Sequence, residues 1–91
     1  MIVLDWSNEK NELVTEKTGV SFEDIEFSIA TGCLLDDIQH PNTEKYGHQR
    51  IMVVEVNGYA YCVPYVKQEK GVFFLKTLFP SRKYQKMYLS K

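Results

Sequence analysis

The stretch Arg50–Val66, RIMVVEVNGYAYCVPYV, decides how this chain folds. Two runs rich in β-branched and aromatic residues, Arg50–Val56 and Tyr59–Val66, flank Asn57-Gly58, the pair that tolerates the two positive φ angles of a type I′ hairpin turn. A two-residue turn sets the register by counting back. Val56 then opposes Tyr59, Val54 opposes Tyr61, Met52 opposes Val63, and Arg50 opposes Tyr65. Opposed residues share a sheet face, so Arg50 lies beside Tyr65 on the face that carries Tyr59 and Tyr61. Cys62 falls on the other face with Ala60 and Val53, where it reads as a small buried hydrophobe. Glu55 also falls on that other face, away from Arg50, which disfavours their pairing.

Working outward, Val72–Phe79 follows a charged turn ending in Gly71 and reads as one further strand stopped by Pro80. Its alternation puts Lys76 on a face with Val72, Phe74 and Leu78. Ser81 can cap a short C-terminal helix carrying Tyr84, Met87 and Tyr88 on one side. Upstream, Gln39–Gln49 is a polar loop preceded by a strand at Cys33–Ile38. Ser21 caps a helix that begins at Phe22, with Asp24 at its third position and Phe22, Ile25 and Ile29 on one face. Gly32 ends it. A first helix over 7–18 stops at Gly19, with Trp6, Leu13 and the stems of Lys10 and Lys17 along one stripe, and residues 2–5 form a short strand. The order β-α-α-β-β-β-β-α predicts an α+β fold over one domain, 1–91, with an antiparallel sheet packed by the N-terminal helices.

Composition narrows the function classes. Two scattered cysteines, Cys33 and Cys62, make no disulfide framework and point to a reducing, cytoplasmic compartment. No apolar run approaches the length of a membrane span, and MIVLDWSNEK is too short and acidic for a signal peptide. The net charge of −1 hides a strong polarity: residues 1–44 carry ten acidic side chains against Lys10 and Lys17, whereas residues 45–91 carry nine basic ones against Glu55 and Glu69. The basic half can attract phosphates, or the two halves can neutralise one another on folding.

The spacing of Trp6, Lys10 and Gly19-Val20-Ser21-Phe22-Glu23 resembles the BrnT-type toxins. So do Arg50 at the entry to the meander and Arg82 within Phe79-Pro80-Ser81-Arg82-Lys83 after the last strand. The chain departs from that pattern at Ser7, Thr18 and Thr77. The resemblance implies a RelE-like fold, a toxin of a toxin–antitoxin pair, and a metal-independent endoribonuclease without cofactor. It also implies a cognate DNA-binding antitoxin that holds the toxin in a heteromeric complex.

Metal-free RNA cleavage needs a base for the 2′-OH, cations for the phosphorane and an acid for the leaving 5′-oxygen. Arg50, Lys76 and Arg82 are the candidate phosphate ligands, and the proton mover is His48, whose charge changes near neutral pH, or a tyrosine. Lys83, Tyr65, Lys45 and Lys86 are the candidate RNA-binding residues. His40 follows Asp36 and Asp37, but without the tight spacing of a metal site. The rival class is a RelE-like module that docks on RNA, ribosome or protein without catalysis.

Overall fold

A computed structural model describes residues 3–89. Its elements are β1 (Val3–Asp5), α1 (Asn8–Thr18), α2 (Phe22–Ala30), β2 (Leu34–Gln39), α3 (Thr43–Tyr46), β3 (Gln49–Val56), β4 (Tyr59–Lys67), β5 (Val72–Leu75), β6 (Phe79–Pro80) and α4 (Arg82–Tyr84). The last continues as a wider π-helical turn over Gln85–Leu89.

The hairpin has the register that its turn dictates: Arg50 opposes Tyr65, Met52 opposes Val63, and Val56 opposes Tyr59. Asn57 and Gly58 have φ of 53° and 80°, the left-handed pair a type I′ turn requires. Around this hairpin the sheet runs β1-β5-β4-β3-β2, with β6 beside β4. It is antiparallel except at one edge, where β1 pairs parallel with β5, so the all-antiparallel expectation is corrected there.

The expected single strand Val72–Phe79 divides in two, and Pro64 supplies the reason. In an extended strand, a residue's N–H and C=O point to the same neighbour. The Pro64 carbonyl accepts the Lys76 N–H (2.8 Å), so the donor that proline lacks is missing on this same edge. The ladder therefore stops after Leu75 pairs with Tyr65 and resumes only where Phe79 pairs with Cys62. The break also shifts the alternation. Leu78 turns into the core with Leu75 and does not share the face of Phe74 and Lys76.

Helices α1 and α2 cover one face. Ser21 forms the expected capping box, accepting from the Asp24 N–H while the Asp24 carboxylate accepts from the Ser21 N–H. Asn11 ties the two helices together: its Oδ1 accepts the Phe22 N–H (2.8 Å) and its Nδ2 donates to Glu23 (2.7 Å), which holds the Glu23 carboxyl below the usual range. Phe22, Ile25 and Val14 pack on Met52, Val54, Val63, Tyr65, Leu75 and Leu78, while Leu13 of the expected α1 stripe stays exposed. Ser21→Ala should cost about 1 kcal/mol of stability, measurable as a small drop in the urea midpoint at unchanged slope.

At the hairpin end, the opposite face is covered by the C-terminal turn. There Ser81 N–H donates to the Ala60 carbonyl (3.0 Å), Gln85 Oε1 accepts the Ala60 N–H (2.8 Å), and Tyr88 donates its hydroxyl to Asp36 across β3. That bond holds the Asp36 carboxyl below its ordinary value. At the far end Gln49 and Pro64 are buried as well, beside the β2–β3 connection and the β5–β6 break.

Candidate active site

The bulge between Leu34 and Asp36 sets β2 so that Asp36 opposes Val53 and Asp37 opposes Met52, on alternate faces of the sheet. The two carboxylates therefore never converge. Asp36 takes the Tyr88 hydroxyl on the C-terminal side. On the helix side, Asp37 accepts from Arg50 Nε (3.0 Å) and from the Tyr65 hydroxyl (2.6 Å), and its carbonyl accepts Arg50 Nη2 (3.0 Å). Among the described residues, Asp37–Arg50 is the one ion pair and no three His, Cys, Asp or Glu side chains come together.

Arg50 thus lies beside Tyr65 as the register requires, but it is clamped by a carboxylate 13 residues upstream in the chain. Hydrogen bonding to Asp37 raises its pKa further. Tyr65 has no exposed surface and stacks on Phe73 (4.8 Å between ring centres), so it offers no face to a base. Burial, then the Asp37 carboxylate, pushes its hydroxyl up to about 12. The sign follows: the folded chain holds this proton more tightly than the unfolded one. Stability is fully present below the unfolded pKa near 10 and falls as pH climbs from there through about 12. Tyr65→Phe should lose a hydrogen bond to a charged acceptor, about 1.5–3 kcal/mol. In urea titrations its stability should fall less steeply than wild type between those pH values.

This far end of the sheet carries a groove of about 350 Å³. Its floor is Gln49 and Pro64, which share a face by register with Ile51 and Phe74. One wall is the β5–β6 break, with Lys76 and Thr77; Lys10 of α1 reaches in beside them. The other wall is the β2–β3 connection. Asn42 caps α3 by accepting the Lys45 N–H, and that single turn brings the Tyr46 ring to 4.5 Å from His40. His40 Nδ1 accepts the Asn42 N–H (3.1 Å), so the neutral imidazole carries its proton on Nε2.

Of the residues expected from sequence, the groove contains Lys76, whose ammonium lies 5.6 Å from the centre of the Phe74 ring. Lys45 does not line the groove, and its ammonium lies 5.3 Å over the Tyr46 ring. His48 is exposed and does not line it. Arg82, Lys83 and Lys86 are exposed on the C-terminal turn, with Lys83 over Tyr84. Lys10, His40 and Tyr46 complete the groove and were not among the expected site residues. Cys62 is buried, and that burial raises its thiol pKa away from nucleophilic use.

Comparison with solved structures bears on the fold. The crystal structure of the Brucella abortus ribonuclease toxin BrnT superposes with a TM-score of 0.66, covering 89% of this chain and 97% of that one, at 13% identity. This chain has the BrnT fold. No protein-family model matches it, and no curated protein does. The BrnT fold here is a mixed sheet with two N-terminal helices on one face and a short C-terminal helix on the other. Among the described residues, no helix in it is long and apolar enough to cross a membrane.

Proposed function

We propose that this chain is a metal-independent endoribonuclease acting in the cytoplasm as the toxin of a toxin–antitoxin pair, and that Lys10, Lys76, His40 and Tyr46 form its active groove. The observation that carries the proposal is the convergence of two lysines, an imidazole and a phenol in one open groove without a lining carboxylate. Such a groove attracts a phosphodiester and stacks a base.

In the reaction, the 2′-oxygen attacks the adjacent phosphorus as its proton passes to solvent water in the open groove, and the P–O5′ bond breaks as the 5′-oxygen gains a proton. The products are a 2′,3′-cyclic phosphate and a 5′-hydroxyl. Lys10 and Lys76 offset the charge that builds on the phosphorane oxygens. His40, held with its proton on Nε2, donates a hydrogen bond to one of them, and the tilted His40–Tyr46 pair positions the base. The Lys76 ammonium supplies the proton to the leaving oxygen. Arg50 acts at one remove, holding β2 on β3 through Asp37.

The fold likeness to a ribonuclease toxin supports this reading. So does the charge layout: Glu9, Glu12, Glu16, Glu23, Asp24 and Glu26 all lie exposed on the helical layer, away from the groove floor. The same layout suits a DNA-binding antitoxin that covers the basic end. One observation favours binding without cleavage: no carboxylate lines the groove to take the 2′-OH proton.

Induced expression of the chain in a bacterial host separates the two readings. Growth arrest with rapid loss of message, and purified activity that survives EDTA, are the expected results. Healthy growth with intact RNA, alongside RNA binding by the purified chain, would favour the non-catalytic module.

A further inference from the structure

The groove does not end at Lys10. A second cavity of about 240 Å³ runs between α1 and β6, and Lys10, Thr77 and Phe79 line both cavities. Lys17 stands along this second cavity, with Leu13 between the two lysines. Seven residues make nearly two helical turns, so Lys10 and Lys17 share one face of α1, about 10 Å apart along its axis. They are the two basic residues of an N-terminal half that carries ten acidic ones. Glu9, Glu12 and Glu16 of the same helix are exposed and do not line the seam. Beside the lysines, Phe79 and Leu13 leave 43% and 47% of their surfaces uncovered.

A row of cations along a track, with an uncovered aromatic ring beside it, is how proteins hold single-stranded nucleic acid. We propose that the α1–β6 seam is a binding subsite for the single-stranded RNA that extends from the cleavage groove, with Lys17 pairing a phosphate and Phe79 stacking a base. This rests on the RNA reading of the groove. Charge complementarity selects the occupant: the helical surface around the seam is acidic and repels a polyanion everywhere except along the Lys10–Lys17 row. The subsite makes affinity depend on RNA length, because a short substrate fills the groove alone.

The test uses the purified full chain with fluorescein-labelled 2′-O-methyl oligonucleotides, which cannot be cleaved, of two and eight nucleotides. Lys17→Gln should weaken octamer binding several-fold, lower its salt slope by about 0.7, and leave dinucleotide binding unchanged. Phe79→Leu, which keeps apolar bulk and removes the ring, should weaken the octamer about ten-fold. Wild-type octamer affinity in both variants would overturn the subsite while leaving the groove reading intact. Equal losses at both lengths would overturn it as well, since the two residues would then serve the groove itself. Competition by poly-glutamate as effective as that of the octamer would overturn it in favour of an acidic polypeptide. A wild-type chain that neither binds the octamer nor cleaves RNA would remove the groove reading and the subsite together.

Discussion

Lys76→Gln will reduce RNA cleavage by about 10²–10³-fold while lowering the thermal midpoint by only about 2–8 °C. Both halves of that expectation come from placement. Lys76 is exposed, and its main structural contact is the Phe74 ring at 5.6 Å, a surface cation–π pair worth about 0.5–1 kcal/mol. Its ammonium, however, stands on the wall of the groove where the phosphorane must form. Rate assays on a defined oligonucleotide, with a melting curve on the same preparation, check both. A loss as large from Arg82→Ala, outside the groove, would relocate the chemistry to the C-terminal turn.

Phe22→Ala will destabilise the fold by about 3–5 kcal/mol and lower the midpoint by more than about 10 °C. Phe22 is fully buried at the first turn of α2, its ring centre 5.7 Å from that of Trp6, and it belongs to the cluster that packs both helices on the sheet. A domain of this size has only about 5–15 kcal/mol in all, so the variant should be partly unfolded near body temperature. Phe27 on the same helix is 70% exposed, and Phe27→Ala should change stability little. Equal effects from the two substitutions, measured by urea denaturation, would contradict the packing described.

The parts of the fold that were legible in the sequence are those governed by short-range rules. Asn57-Gly58 determined the hairpin register residue by residue, because a two-residue turn leaves no slack. Ser21 and Asp24 announced the start of α2 through an exchange of hydrogen bonds three residues apart. The break after Leu75 was signalled by Pro64, but on the neighbouring strand, so it could be read only once the pairing of β4 with β5 was known.

The site was less legible for the same reason. Asp37 reaches Arg50 across 13 residues, and no local pattern marks it as the partner. His40 and Tyr46 meet because α3, a single turn within a loop that reads as irregular, folds one ring against the other. Lys10 was legible as a stem on the α1 stripe and as part of the BrnT-type spacing, but its place beside the strand break comes from tertiary packing alone. The resemblance to the BrnT-type pattern rests on residues scattered through the chain, and its fold expectation is met by the superposition.

The most direct measurement is mass spectrometry of a defined single-stranded RNA after incubation with the purified chain in EDTA. Wild type should produce fragments ending in a 2′,3′-cyclic phosphate, and Lys76→Gln should not. RNA recovered bound and intact, or cleaved equally by the variant, would contradict that expectation.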